Sequence, residues 1–299
     1  MSLTSGLDGR VAVVTGATGG MGRVIALDLA RRGATVVTIA RDPRRADDLR
    51  NQFDQEGIAA PVEVIPGDLS HGDGVRAAAE RITHRFRAVH LLINNAGAHF
   101  PVRRLSSDGV ELHVAVDYLA AFGMTALLTE ALERGSGRVV NVVSDSLNDT
   151  RQIKIAAQRR PATLDATQLQ DLRALNPAAG FVPFEAYARA KLLTIMAAYD
   201  FARRLAPGGV TVNSVHPGIV ATGIIDDLIP AVLRPASGLI RRLMLRPEEG
   251  AAVILRVATN PSNMTGVYFL RNRPAATPAI SYDLDAQHAL YTSSARHFA

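Results

Sequence analysis

The run Val11-Ala12-Val13-Val14 leads directly into Thr15-Gly16-Ala17-Thr18-Gly19-Gly20-Met21-Gly22, and an apolar-periodic segment continues from Met21 to Arg31. A short β-branched strand, a glycine-rich turn and a helix in that order constrain the fold more than any other part of the chain. The glycines allow a tight strand-to-helix turn and close approach of a ligand to the backbone. The helix presents its free amides and positive dipole end to that turn, which suits a phosphate-bearing ligand. The spacing reads two ways. Through Gly16, Gly20 and Gly22 it is T-G-x-x-x-G-x-G, and through Gly16, Gly19 and Gly22 it is T-G-x-x-G-x-x-G. Both spacings suit the pyrophosphate of a dinucleotide.

The same rhythm repeats downstream. Strands are predicted at 35–39, 62–65, 89–93, 138–143, 211–215 and 267–270, and helices at 44–55, 74–86, 107–134 and 184–206. Strand–helix alternation with few alternating polar positions implies strands buried on both faces. The expected fold class is α/β: a doubly wound parallel sheet of Rossmann type with helices on both faces, in one domain over residues 1–299. Two segments interrupt the alternation, about 145–183 and 223–246. Structureless loops of that length are unusual in a compact domain. Leu164, Leu169 and Leu172 in the first, and Leu228, Ile229, Val232 and Leu233 in the second, are helically spaced, so short helices are expected in both. Each follows a strand, where open sheets bind ligands, so both are expected to form a lid over a substrate.

The 299 residues contain no cysteine, which excludes disulfides, thiolate nucleophiles and thiolate metal sites and is compatible with a reducing, cytoplasmic setting. The opening MSLTSGLDGR has neither a basic n-region nor a long apolar h-region, and no apolar stretch reaches the length of a membrane span. The net charge is +5, but the arginines are scattered and form no long basic block, so no nucleic-acid partner is expected. His71, His84, His90, His99 and His113 are dispersed without metal-ligand spacing and read as ordinary histidines, so no metal is expected. Of the 33 basic residues only Lys154 and Lys191 are lysines. A lysine kept where arginine serves everywhere else is a candidate for a task needing a compact ammonium.

At the end of the second strand stand Ala40, Arg41 and Asp42. An acidic residue at the strand end would receive the ribose hydroxyls of NAD. Here Ala40 holds that place, and Arg41 can fork onto a 2′-phosphate, so NADP (NADPH) is the expected cofactor, with Asp42 as the complication. Tyr187-Ala188-Arg189-Ala190-Lys191 places a phenol and an ammonium four residues apart on a predicted helix, hence on one face. A nearby ammonium favours phenolate, and such a tyrosine can pass a proton to or from a carbonyl or alcohol oxygen. Ser144, closing Asn141-Val142-Val143, can hydrogen-bond the same oxygen, with Ser146 as a rival for that role.

Asp68-Leu69 after the third strand, Asn94-Asn95-Ala96-Gly97 closing the fourth, the Y-x-x-x-K and His216-Pro217-Gly218 with Thr222 beyond it together resemble the short-chain dehydrogenase/reductase superfamily over roughly residues 8–298. The combination is similar to the simple, non-epimerase branch, which makes Gly16, Gly20 and Gly22 the operative glycines. The strand end Ile39-Ala40-Arg41, the long insertion before Tyr187 and the ending Leu290-Tyr291-Thr292-Ser293-Ser294 resemble the retinol-dehydrogenase-like members.

The resemblance implies a hydride-transferring oxidoreductase with Tyr187, Lys191 and Ser144 as catalytic residues. Asp117 stands where the family has a catalytic asparagine supporting a relay water. It also implies cofactor contacts from Gly16, Thr18, Gly20, Met21, Gly22, Arg41, Asp68, Leu69, Asn95, Ala96, Gly97, Tyr187, Lys191, Val220 and Thr222. The helices at 107–134 and 184–206 correspond to the pair that forms a four-helix dimer contact in relatives, so a homodimer or homotetramer is expected. Leu147, Ile153, Phe181, Phe184, Ile224, Ile225, Leu228, Ile229 and Met244 make the inserted segments apolar, pointing to a bulky lipophilic carbonyl or secondary alcohol as substrate, or to packing of the lid on the core. Two other functions stay open: a dinucleotide-binding sensor that has lost catalysis, which Asp117 favours, and an epimerase or dehydratase, which Gly19 favours.

Overall fold

The computed structural model describes residues 6–151, 159–221 and 244–299. Strands β1 (Val11–Val14), β2 (Thr35–Ala40), β3 (Val62–Pro66), β4 (Leu91–Asn94), β5 (Arg138–Val142), β6 (Thr211–His216), β7 (Tyr268–Leu270) and β8 (Arg273–Pro274) form one sheet. Its spatial order is β3-β2-β1-β4-β5-β6-β7-β8, parallel throughout except for the antiparallel β7–β8 edge. The chain passes from β3 back across the sheet to β4, so the order reverses beside β1. The loops leaving β1 and β4 diverge there, which opens a crevice at the carboxyl ends of the strands.

Helices α1 (Gly20–Arg31), α2 (Pro43–Gln55) and α7 (Pro247–Thr259) cover one face. Helices α3 (Gly72–Arg85), α4 (Ala120–Leu127), α5 (Thr129–Arg134) and α6 (Pro183–Leu205) cover the other. Strand residues divide accordingly. Ala12, Val14, Ile93, Val140 and Val215 join Ile25, Leu29, Leu49 and Ile254, while Val13, Leu92, Val139 and Val212 join Val75, Met124 and Leu192. The doubly wound architecture expected from the sequence is the one observed.

Three elements differ from expectation. The helix predicted from 107 begins only near 112, because Ser106–Gly109 form a tight turn with Gly109 at φ +77° and Leu105 bridges Glu111. Its next stretch, Val114–Leu119, is π-helical, so one extra residue enters the turn before α4. Helix α7 and a C-terminal helix α8 (Leu284–Phe298), started by Asp283 accepting from the Ala286 amide, were not expected from the strand–helix rhythm.

Helix α8 lies on the outer face of α4 and α6, the face expected to meet a second copy. Phe298 stacks on Phe122, Tyr291 meets Phe122 and Phe201 edge-on, and Arg204 lies 3.9 Å over the Tyr291 ring. Tyr118 shares a 2.5 Å hydrogen bond with Ser294, and Arg203 reaches Gln287. The chain's own terminus therefore occupies the surface on which the oligomer expectation rested.

The first insertion contains the expected short helices, at Asp145–Leu147, Ala166–Gln170 and Leu172–Ala174. Leu147, Leu169 and Leu172 are buried in the core, and Ser293 of α8 bonds the Leu169 carbonyl at 2.6 Å. The second insertion, apart from 244–246, lies outside the described residues, as do Ile153, Lys154 and Thr222. Leu290 of α8 has no exposed surface. Leu290→Ala is expected to cost about 2–5 kcal/mol of unfolding free energy in chemical denaturation; a near-neutral change would show that α8 contributes little to the fold.

Candidate active site

The glycine turn resolves its two readings geometrically. Gly16 has φ +70°, and a Cβ there would sit 2.9 Å from the Ala96 Cα. Gly20 has φ +53°, and a Cβ on Gly22 would run into the Gly16 carbonyl. Gly19 is extended at φ −170° with nothing within 4 Å of an added Cβ, so no backbone demand falls on it. The operative set is Gly16, Gly20 and Gly22. No side chain caps the first turn of α1, which leaves its amides facing the crevice. Thr18 orders the turn through its carbonyl, which accepts from Arg23 at 2.8 Å.

The loop leaving β4 holds that turn from the side. Asn95 donates to the Thr15 carbonyl at 3.0 Å and reaches the Gly16 carbonyl at 3.4 Å, while the Asn95 and Ala96 amides donate to Thr15 Oγ1. Asn95 thus braces the cradle through its backbone carbonyls. Asn94, one residue earlier, is buried and donates to Asn141 at 2.9 Å and Thr125 at 3.2 Å, which fixes the ends of β4 and β5 together.

At the end of β2, Arg41 extends into solvent with its guanidinium 3.8 Å from Asp68. Asp42 has another role: it caps α2, accepting from the Arg44 amide at 2.9 Å. The complication in the sequence is therefore a helix cap. Asp68 accepts from the Ser70 amide, and Leu69 packs against the core. Across the crevice, Met21 and Val220 converge on Gly250 of α7, where a Cβ would lie 2.7 Å from the Met21 sulfur and 2.6 Å from a Val220 methyl.

On the substrate side, α6 presents Tyr187 and Lys191 to the carboxyl end of β5, both buried. Ser144 lies near the Tyr187 phenol and caps the turn at 145–147 by accepting from the Ser146 amide at 3.3 Å. The hydroxyl of Ser146 is buried without a hydrogen-bond partner among the described residues, so of the two rivals Ser144 is the one that acts on Tyr187. The Lys191 ammonium lies 5.5 Å from the Tyr187 ring centroid and 3.5 Å from the Val142 carbonyl. It pairs with Asp117 Oδ1 at 2.9 Å.

Asp117 projects from the π-helical turn. Its backbone carbonyl accepts from Thr194 Oγ1 at 2.9 Å, its Oδ1 also accepts from the Ala98 amide at 3.1 Å, and its Oδ2 has no hydrogen-bond partner among the described residues. Gly97 lies against the pair: a Cβ there would be 2.6 Å from Asp117 Oδ1 and 3.1 Å from Lys191 Nζ. Thus α6, the π turn, β5 and the β4 loop meet around one ammonium.

The electrostatics follow from this burial. Desolvation works against the Lys191 ammonium, but the Asp117 carboxylate and Tyr187 outweigh it and hold Lys191 above the ordinary lysine value. Burial raises the Asp117 carboxyl, with Lys191 and then His113 pulling it the other way. For Tyr187, burial raises the phenol, Lys191 pulls it down, Asp117 adds to the rise and the Ser144 hydrogen bond eases it, with a net upward direction. The sequence expectation of a phenol lowered by Lys191 is therefore corrected: the pull is present, but burial exceeds it and Asp117 opposes it.

An aromatic wall completes the site. Phe184 stacks on Tyr187 at 6.4 Å between centroids, and His99 and His113 meet it edge-on at 6.1 and 6.2 Å. His113 is fully buried; its Nδ1 bonds Glu111 at 2.9 Å and its Nε2 accepts from the Phe100 amide at 3.0 Å. Glu111 also accepts from Asn176 at 2.8 Å, and Asn176 accepts from Arg189 on α6 at 2.6 Å. Burial alone would raise the Glu111 carboxyl, but its bonds from His113 and Asn176 hold it below the usual carboxylate range. This buried chain fastens the first insertion to the helix carrying Tyr187. Sequence reading passed over it because histidines at 99 and 113 and an asparagine at 176 carry no spacing signal; only Thr194, one turn beyond Lys191, lay on a face already identified.

The arrangement offers a crevice with a phosphate cradle at one end and a buried phenol, hydroxyl and ammonium at the other, the layout needed to hold a dinucleotide beside a proton donor. The family model described as short chain dehydrogenase matches residues 10–154. Human polyprenol dehydrogenase is 30% identical over 295 residues, covering 95% of this chain and 84% of that protein. Mouse retinol dehydrogenase 14 is 31% identical over 278 residues, covering 88% of this chain and 78% of its own. A protein of Streptomyces sp. strain C5, named as a candidate daunorubicin C-13 ketoreductase, is 30% identical over 292 residues, covering 97% and 93%. With the sheet order, the glycine cradle and the Tyr187–Lys191 pair, these relationships establish that the chain belongs to the short-chain dehydrogenase/reductase family, among its retinol-dehydrogenase-like members, and is an oxidoreductase.

Proposed function

We propose that the protein is an NADP(H)-dependent oxidoreductase that interconverts a bulky lipophilic carbonyl and its alcohol, with Tyr187 as the general acid/base. The observation that carries this reading is the convergence of Tyr187, Ser144 and Lys191 at the carboxyl end of β5, opposite the glycine cradle. The cradle suits a nicotinamide dinucleotide: its turn is so tight that a Cβ at Gly16 or Gly22 would strike Ala96 or the Gly16 carbonyl, and the uncapped α1 amides suit a pyrophosphate. When bound, the nicotinamide supplies or accepts the hydride. Tyr187 gives a proton to the carbonyl oxygen in reduction, Ser144 donates a hydrogen bond to that oxygen, and Lys191 stabilises the phenolate that remains.

The preference for NADP rests on Arg41, exposed at the end of β2 with its guanidinium 3.8 Å from Asp68, and on Asp42, whose carboxylate is engaged as a cap instead of facing a ribose. The lipophilic substrate is supported by Phe184, Phe181 and Phe100 around Tyr187 and His113, and by relatives named for polyprenol, retinol and daunorubicin. Leu147 does not add to this argument, since it is packed into the core. Among the described residues no helix is long and apolar enough to cross a membrane. We propose a homodimer or homotetramer that assembles through a face other than the one on which α8 packs.

Tyr187→Phe is expected to lower kcat for carbonyl reduction by about 10²–10⁴-fold with nucleotide binding retained; unchanged turnover would remove Tyr187 from the reaction. Arg41→Ala is expected to reduce the NADPH-over-NADH preference in kcat/KM by about tenfold or more, the worth of a charge-assisted hydrogen bond. An unaltered ratio would refute the assignment of NADP to Arg41.

A further inference from the structure

The Asp117 carboxylate is buried, takes Lys191 Nζ at 2.9 Å, and leaves Oδ2 without a hydrogen-bond partner among the described residues. Its backbone is pinned independently by Thr194, and its Oδ1 is pinned by the Ala98 amide. The side chain therefore has little freedom except as the counter-charge of Lys191. A lone ammonium 5.5 Å from the Tyr187 ring would favour phenolate. Paired with a carboxylate at contact distance, the two charges sum to zero and much of that pull is cancelled.

We propose that Asp117 is a positioning residue that cancels the charge of Lys191 and so keeps Tyr187 as a neutral phenol, fitting the site to carbonyl reduction and withholding alcohol oxidation until alkaline pH. The inference rests on the reading of Tyr187 as the proton donor. In reduction the carbonyl carbon gains a hydride from the reduced nicotinamide dinucleotide and the oxygen gains the phenol proton; the products are the alcohol, the oxidised dinucleotide and a tyrosinate that regains its proton from solvent. Oxidation requires the tyrosinate at the outset. A phenol that stays protonated near neutral pH therefore serves the first direction and starves the second.

Other groups face Tyr187. Lys191 lies on the same helix, Asp117 on the π turn, His113 just before it, His99 on the loop after β4, Glu111 behind His113, and Ser144 after β5. Imidazoles and carboxylates ordinarily titrate well below a phenol. The alkaline limb therefore belongs to Tyr187 and Lys191, with Asp117 setting their balance. Burial is the largest cause of the upward direction of Tyr187, and the Asp117 charge adds to it; the same charge raises Lys191.

The test compares wild type with Asp117→Asn, which keeps the acceptor for Ala98 and removes the charge. Rates of ketone reduction and alcohol oxidation are followed against pH. In parallel, the ultraviolet absorbance of phenolate is titrated in each protein, less that of its Tyr187→Phe counterpart. In Asp117→Asn the Tyr187 midpoint is expected to fall by about one pH unit or more, with oxidation at neutral pH rising about tenfold. Coincident midpoints in the two proteins would overturn the proposal, even if kcat differed. If Asp117→Asn does not fold, as judged by circular dichroism, Asp117→Ala is read in the same way. If neither protein turns over any carbonyl, the proposed function fails, and the absorbance titration alone decides whether Asp117 governs Tyr187.

Discussion

An ammonium buried in a protein must find a counter-charge and acceptors, or it will not remain buried as an ion. Lys191 meets this demand with Asp117 and the Val142 carbonyl. Removing one partner of such a pair typically costs about 3–5 kcal/mol, because the other charge is left uncompensated. That constraint organises the site. It joins α6 to the π turn, brings β5 beneath both, and draws the Gly97-Ala98 backbone against the carboxylate so closely that no side chain fits at Gly97. Tyr187 takes its place one helical turn before the ammonium. The π turn serves the same end, placing Asp117 toward Lys191 while its carbonyl goes to Thr194.

The two ends of the crevice are built by different means. At the cofactor end the backbone does the work: glycines 16, 20 and 22 shape a turn, α1 supplies amides, and Asn95 holds the turn's carbonyls from the neighbouring strand. At the other end side chains do it, through the His113–Glu111–Asn176–Arg189 chain that ties the first insertion to α6. A backbone cradle can serve any enzyme that binds a dinucleotide. A wall held partly by an insertion can vary from one such chain to another.

This division explains what could be read in the sequence. Strand ends from β1 to β7 fall within two residues of expectation, because β-branched runs bounded by polar residues mark strands buried on both sides. The glycine turn, Asn95, Tyr187 and Lys191 were legible because each is tied to a spacing. The π turn was not: Val114-Ala115-Val116-Asp117-Tyr118-Leu119 is buried on nearly every side, so an added residue leaves no trace in the apolar periodicity. Helix α8 was missed although Asp283 marks its start, and with it the fact that Phe298 and Tyr291 cover α4 and α6. A face rich in small and apolar residues looks the same whether a second copy or the chain's own terminus will cover it.

The central claim is that hydride moves between a nicotinamide ring and a carbonyl carbon held against Tyr187. The most direct measurement uses NADPH carrying deuterium at the transferable C4 position, incubated with the protein and a set of polycyclic, terpenoid and polyketide-like ketones and aldehydes. The account predicts an alcohol product with one deuterium on its carbinol carbon, its hydroxyl proton coming from water. Oxidised cofactor without deuterium in any product, or no consumption of NADPH with the whole set, would contradict it.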